Sequence, residues 1–251
     1  MIDLTGRRAL VTGGSRGIGG AVSRLLATCG ADVAVHYRSR TADAEAMVAA
    51  VRTAGRRAMA VAAELSDRVA VDRAVDAVAT AWGGIDIFVG NAGIWPVEEV
   101  AVSAMDDARW SQTMRENVDG MFFSTRAALR HMGEGGRVVL VSSTAGQRGE
   151  AMHADYGASK GAMISFVKSL AVEVASRGIT VNSVAPGWVD TEMCETPFAG
   201  EGRTRIAAAI PVGRIATAED IAFPIVCLCA PQARHVTGEI VNVNGGSVLC
   251  G

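Results

Sequence analysis

Tyr156 and Lys160 are the side chains in this sequence best suited to proton chemistry. They stand in Tyr156-Gly-Ala-Ser-Lys160, a run expected to open a helix. Residues at i and i+4 share one helical face. A phenol ordinarily loses its proton near about pH 10 and is a poor acid or base at neutral pH. A neighbouring ammonium favours the phenolate and lowers that value. A tyrosine tuned in this way can give a proton to a carbonyl oxygen as hydride arrives at the carbon. In reverse it can take one from an alcohol as hydride leaves. The lysine could also hydrogen-bond the ribose of a nicotinamide cofactor. Tyr-x-x-x-Lys equally describes an ordinary helix with one packed tyrosine and one exposed lysine. The chain holds only two tyrosines, Tyr37 and Tyr156, and two lysines, Lys160 and Lys168, which makes a chance pairing less comfortable.

Three further polar sites stand where such chemistry would need help. Ser142-Ser143 ends the run Arg137-Val-Val-Leu-Val-Ser-Ser, expected to be a strand. Ligands of open α/β sheets bind beyond the carboxyl ends of strands. Ser143 could therefore hydrogen-bond a substrate oxygen, or simply cap the next turn. Asn91-Ala92-Gly93 closes the apolar run Ile85 to Gly90. Small residues there allow close approach to a cofactor, and Asn91 can tie adjacent backbone together. Asn117 falls inside a long expected helix, where asparagine is a poor helix former. Turned inward it could hold a water; turned outward it is a solvated helix residue.

A cofactor site is legible upstream. The first apolar run, Arg8 to Thr12, leads into Gly13-Gly-Ser-Arg-Gly-Ile-Gly19. Glycines at 13, 17 and 19 let the backbone turn and approach a ligand without a Cβ in the way. The helix that follows presents free N–H groups and a positive dipole end, which suit a pyrophosphate. The spacing is not the strict G-x-G-x-x-G fingerprint, and no P-loop lysine follows. A tight turn without ligand fits the same residues. The second run ends His36-Tyr37-Arg38-Ser39-Arg40 without an acid. An NAD site usually places Asp or Glu there for the ribose hydroxyls. A guanidinium grips a 2′-phosphate bidentately. Arg38, with Arg16 from the glycine loop, therefore points to NADP(H) over NAD(H), unless both are ordinary surface arginines.

The elements that must position these residues alternate regularly. Strands are expected at 8–12, 32–37, 57–62, 85–90, 137–141, 179–184 and 239–243. Helices are expected at 17–29 and 41–54, and a third begins at a Ser66 or Asp67 cap. Strands apolar on both faces, each followed by a helix, imply a parallel sheet covered on both sides. The expected fold is a Rossmann-type, doubly wound α/β domain with a seven-stranded parallel sheet. No linker or repeat interrupts residues 1–251, so a single domain is expected. The segment 192–211, with Pro197, Gly200 and Gly202, breaks the rhythm and is expected to be a substrate lid, with packing or assembly as the alternative.

Bulk properties narrow the class. The chain has 251 residues, 49% hydrophobic, enough to bury a sizeable core. A net charge of −2 gives no global basic field for nucleic acid or anionic membrane. No apolar run is long enough to span a bilayer, and Met1-Ile-Asp-Leu4 does not begin a signal peptide. Cys29, Cys194, Cys227, Cys229 and Cys250 show no metal-ligand spacing, so no metal is expected; they read as reduced thiols of a cytoplasmic protein.

Taken together, these motifs resemble the short-chain dehydrogenase/reductase family, in family order from Thr12-Gly-Gly-Ser-Arg-Gly-Ile-Gly19 to Val236-Thr-Gly-Glu-Ile-Val-Asn-Val-Asn-Gly-Gly246. The resemblance implies a catalytic tetrad of Asn117, Ser143, Tyr156 and Lys160. It implies cofactor contacts from Gly13, Ser15, Arg16, Gly17, Ile18 and Gly19, and from Tyr37, Arg38 and Ser39 after the second strand. Glu64 and Leu65 would lie near the adenine, and Asn91, Ala92 and Gly93 beside the cofactor with Tyr156 and Lys160. Pro186, Gly187, Val189 and Thr191 would flank the nicotinamide, with Thr191 on its carboxamide. Family members are usually tetramers, sometimes dimers. Two departures stand out: Gly90 precedes Asn91 where a second Asn is common, and Glu64 replaces an Asp.

Within the family, Ser169 to Asn182 and Val184 to Thr191 are most similar to 3-oxoacyl-carrier-protein reductases. The implied substrate is a 3-oxoacyl thioester, free or carrier-bound. An acidic carrier needs basic residues at the cleft rim; Arg177 suits that role, whereas Glu134 would repel a carrier. Tyr37-Arg-Ser39 also resembles sugar and polyol dehydrogenases, so those and general carbonyl reductases stay as alternatives. A non-catalytic nucleotide binder on the same fold is the remote one. Trp95, His153, Trp188, Met193 and Phe198 are candidates for the substrate pocket, or equally for packing.

Overall fold

Short β-branched runs become seven strands in a computed structural model that describes residues 2–249. They are β1 (Arg8–Val11), β2 (Asp32–Tyr37), β3 (Ala58–Ala62), β4 (Ile85–Gly90), β5 (Met132–Val141), β6 (Thr180–Pro186) and β7 (Ile240–Val243). Their order is β3-β2-β1-β4-β5-β6-β7, and every pair is parallel. Register is fixed by apolar partners such as Leu10 opposite both Ala34 and Phe88. All seven residues of β6 are buried. That is why the central strands read as continuous apolar runs rather than alternating ones.

Two helical layers cover the sheet. On one face lie α1 (Gly17–Thr28), α2 (Thr41–Thr53) and α9 (Ala218–Cys229), packed through Val22, Leu26, Val48 and Ile225. On the other lie α3 (Arg68–Trp82), α5 (Gly120–Arg130) and α7 (Ala154–Val174), packed through Val75, Met121, Met163 and Val167. Phe88 of β4 is fully buried in the second layer; its truncation to Ala would cost about 3–5 kcal/mol. Asp67 rather than Ser66 caps α3, accepting from the Val69 and Ala70 N–H groups. Shorter helices α4 (Asp107–Met114), α6 (Thr144–Arg148) and α8 (Gly202–Ala209) complete the set.

Two expectations about elements needed correction. The fifth strand starts at Met132, because Ile85 pairs with Met132 before an irregular step brings Ile87 opposite Arg137. The long helix around Asn117 is not continuous α-helix. Residues Arg115–Asp119 form one π-helical turn between α4 and α5.

Strand order runs outward from β1 in one direction through β2 and β3, then crosses to β4 on the other side. The crevice beyond the carboxyl ends of β1 and β4 is where this architecture binds ligands. Among the described residues no helix is long and apolar enough to cross a membrane. Cys29, Cys194, Cys227 and Cys229 are free thiols; Cys250 lies outside the described residues.

Candidate active site

A cavity of about 810 Å³ opens at that crevice, lined from the glycine loop to the segment after β6. The glycine loop forms its first wall. Gly13 and Gly17 have φ of 60° and 52°, backbone that disfavours a side chain. Gly13, Ser15, Arg16, Gly17 and Ile18 line the cavity. Gly19 does not: a Cβ there would run into the Gly13 carbonyl oxygen and stand 2.6 Å from Asn91 Nδ2. Its role is to let α1 approach β1.

Helix α1 begins with no side-chain cap and no acid in its first turn, unlike α3 and α9, which Asp67 and Thr217 cap. An uncapped N-terminus facing a cavity fits a pyrophosphate. Asn91 ties the loop to β4: its Nδ2 donates to the Thr12 carbonyl at 3.1 Å and the Gly13 carbonyl at 3.4 Å. Thr12 Oγ1 accepts from the N–H groups of Asn91 and Ala92 at 2.9 and 3.1 Å. Gly90 also has a packing reason, since a Cβ there would sit 2.6 Å from Leu140 Cδ2.

His36 was not singled out in the sequence. It is buried, its Nδ1 accepts from the Gly13 N–H at 3.1 Å, and its Nε2 lies 3.0 Å from the Ala63 carbonyl. Those partners place the ring proton on Nε2 and require a neutral imidazole; burial pushes its pKa below the usual value.

The arginine-rich end of β2 lies on the same wall. Tyr37, Arg38 and Ser39 line it, joined by Arg40. Arg38 pairs with Glu116 at 3.2 Å and Glu64 at 3.7 Å. Arg40 pairs with Glu192 at 3.3 Å, and Arg16 pairs with the same carboxylate. Burial raises the Glu116 pKa, and Glu64 raises it further. Glu64 and Leu65 also line the cavity. The guanidinium groups and uncapped helix together fit NADP(H).

The opposite wall carries the proton chemistry. Ser143 N-caps α6, accepting from the Ala145 N–H at 3.1 Å, and lines the cavity together with Tyr156. The capping reading of this serine is the one realised in the fold. Lys160 is buried, and its Nζ donates to the Val141 carbonyl at 3.0 Å, 5.7 Å from the Tyr156 ring centroid. Burial pushes the Lys160 pKa down to about 8. The Tyr156 pKa is raised, chiefly by burial, and the nearby Ser143 side chain opposes that. The expected lowering of the phenol by the ammonium is therefore absent here: Lys160 is directed at a carbonyl, and burial of the phenol dominates.

Asn117 is fully buried. Its Oδ1 accepts from the Ile94 N–H at 2.8 Å, and its Nδ2 donates to the Ile94 carbonyl at 2.9 Å and to Ser159 Oγ at 3.0 Å. Both ends of the side chain are thus engaged by protein. It locks the loop after β4 to helix α7, one residue from Lys160. Gly93 makes room for this, because its Cβ would lie 2.9 Å from Asn117 Oδ1 and 3.5 Å from Lys160 Nζ. The π-turn rotates Asn117 inward, a placement often seen at functional sites.

Pro186, Gly187, Val189 and Thr191 line the cavity beyond β6. Of the aromatic and sulfur candidates, Trp95, Trp188 and Met193 line it. His153 stacks on Trp95 at 5.0 Å, and Phe198 leans on Trp188 at 5.8 Å, so both act as backing. Glu150 and Arg148 also line this part; no helical or strand pattern in the sequence marks them. Arg177 does not stand at the rim. It ends a 3-10 turn at the amino end of β6, where its guanidinium donates to the Met132 carbonyl. Glu134 lies at the same amino-terminal edge, in the first half of β5. Neither residue bears on the cleft.

Comparison with known proteins agrees with this geometry. The family model described as enoyl-(acyl carrier protein) reductase matches residues 13–247. The 3-oxoacyl-[acyl-carrier-protein] reductase of Vibrio cholerae is 38% identical over 250 residues, 99% of this chain and 100% of that protein. A short-chain dehydrogenase/reductase from Serratia marcescens has a TM-score of 0.92 at 37% identity, covering 97% of this chain and 98% of that one. A short-chain dehydrogenase from Burkholderia cenocepacia, solved in complex with NADP, has a TM-score of 0.91 at 39% identity, covering 97% and 98%. Full-length similarity to these proteins, on a sheet of the same kind, joins the ordered motifs of the cavity: the chain belongs to the short-chain dehydrogenase/reductase family of oxidoreductases.

Proposed function

We propose that the protein transfers hydride between NADP(H) and a ketone or secondary alcohol, with Tyr156 exchanging the proton. The observation that carries this reading is the convergence of Ser143, Tyr156 and Lys160 on the same cavity as the glycine loop. NADP(H) supplies or accepts the hydride. Tyr156 Oη gives its proton to the carbonyl oxygen in reduction and takes it back in oxidation. The high pKa of the phenol keeps that proton in place at neutral pH, the state reduction needs. Ser143 Oγ holds the substrate oxygen. Lys160 binds the nicotinamide ribose. Asn117 is a positioning residue that acts through Ile94 and Ser159.

The preference for NADP(H) over NAD(H) rests on Arg16 and Arg38, and is supported by the NADP complex of the Burkholderia cenocepacia relative. The segment 192–211 is proposed as the lid. Glu192 to Thr196 line the cavity, and Phe198, Ile210 and Ile215 form a small apolar cluster apart from the two main cores. A cytoplasmic homotetramer or dimer belongs to the same reading. Exposed Phe122 on α5 and Val172 on α7 are in keeping with assembly.

In its finer form the substrate is a 3-oxoacyl thioester, supported by the name of the Vibrio cholerae relative. A sugar, polyol or other carbonyl substrate is the second reading, favoured by Trp95, Trp188 and Glu150 on the pocket wall. An NADPH-oxidation screen of acetoacetyl thioesters and bulky ketones, with sugars tested against NADP⁺, separates them. Reduction confined to thioesters upholds the first; sugar oxidation alone overturns it.

A further inference from the structure

Glu150, on the same part of the wall as Arg148, has no role in the hydride-transfer reading. Its side chain is 27% exposed and lines the cavity beside Tyr156. Among the described residues no arginine or lysine lies within salt-bridge distance of it. The nearest ring nitrogen, His153 Nδ1, stands 3.8 Å away and lies 3.3 Å from the Ala151 carbonyl. Arg148 and His153 act on the carboxylate electrostatically without a direct Arg or Lys contact, and Trp95 shares its cavity wall. A partly desolvated carboxylate with no ammonium or guanidinium in direct contact is costly, and a fold gains no stability from keeping one. Its neighbours are suited to a cation. Trp95 and Trp188 meet edge to face at 5.9 Å, with His153 stacked behind Trp95. Indole faces are the best aromatic partners for ammonium groups. The carboxylate is near enough to the reacting hydroxyl to act on Tyr156 electrostatically.

We propose that Glu150, framed by Trp95 and Trp188, selects carbonyl substrates that carry a protonated amine a few bonds from the carbonyl carbon. The inference rests on the hydride-transfer reading and names a substrate class for that site. An ammonium placed there hydrogen-bonds the carboxylate and lies against indole while the carbonyl oxygen meets Tyr156 and Ser143. A neutral ketone leaves the carboxylate unpaired, and an anionic one is repelled.

The test compares 4-(dimethylamino)butan-2-one with its neutral isostere 5-methylhexan-2-one, as kcat/KM with saturating NADPH at neutral pH. The expected preference for the amine is about tenfold or more, carried mainly by KM. Glu150→Gln should bring the ratio toward one, and Glu150→Asp should retain part of it. Tetramethylammonium, which cannot be reduced, should quench tryptophan fluorescence in the native protein and not in Glu150→Gln. This cation-binding readout is independent of turnover. Equal turnover of both ketones, or a ratio unchanged in Glu150→Gln, overturns the inference. So does an equal gain for 4-hydroxybutan-2-one, which would mark a site for neutral hydroxyls. Quenching by the cation with neither ketone reduced would instead overturn the hydride-transfer reading and leave Glu150 as a cation site.

Discussion

The guanidinium of Arg16, in the glycine loop, pairs with the carboxylate of Glu192, the first residue after Thr191. Arg40 pairs with the same carboxylate. The acid at the head of the proposed lid thus engages two of the positive groups available to a cofactor phosphate. Both partners are about half exposed, so the pair is worth little by itself and is screened by salt. Glu192→Gln is expected to tighten NADPH binding about two- to fivefold at low ionic strength. The gain should shrink in high salt and be smaller for NADH. Fluorescence titration at two salt concentrations checks it.

Arg38 should discriminate between the two cofactors. A charge-assisted hydrogen bond to phosphate contributes about 1.5–3 kcal/mol. Arg38→Ala is therefore expected to weaken NADPH about ten- to a hundredfold and NADH far less. Equal losses for both cofactors would remove Arg38 from the 2′-phosphate site.

Gly19→Ala is expected to destabilise the fold as well as the cofactor site. The added methyl meets the Gly13 carbonyl and Asn91 Nδ2, both held by the tie between β1 and β4. Overpacking of this kind costs about 1–3 kcal/mol, read as a lower melting temperature. Gly55→Ala is a useful contrast: nothing lies within 4 Å of its Cβ, and only its φ of 77° opposes the change.

His36 should give the apo protein a pH dependence of its own. Its folded pKa is depressed, so the unfolded chain binds the proton more readily. Stability from the neutral ring is fully present above the unfolded value of about 6.5 and is lost as pH falls from there toward the folded pKa. Asp86 and Asp155, also with lowered pKa values, add acid sensitivity in the carboxylate range. Thermal melts from pH 7.5 to 5 should show a decline that is reduced in His36→Gln. An identical decline in the variant would assign the effect elsewhere.

The sheet and the main site residues were legible because their signals are local. Short β-branched runs such as Ile85 to Gly90 between turn residues read as buried strands, and Tyr156 to Lys160 is one turn of helix. The strand order then delivers Ser143, Asn91 and Gly13 to one edge. What was not legible depends on three-dimensional partners. Nothing in the pattern around Asn117 marks a π-turn, which accompanies a pair of bonds to Ile94 that only the fold brings near. His36 looks like any strand residue until Gly13 and Ala63 approach it. Arg177 looked suited to a cleft because its charge is visible in sequence while its end of the sheet is not. The pKa of Tyr156 depends on burial and on where Lys160 points, and spacing reports neither.

The central claim is that Tyr156 exchanges the proton. Its most direct test is Tyr156→Phe, which keeps the ring and removes only the hydroxyl. Turnover of the best ketone in the NADPH screen is expected to fall by about 10²–10⁴-fold, with NADPH binding by fluorescence titration within about twofold of the native protein. Native turnover in the variant would contradict the account.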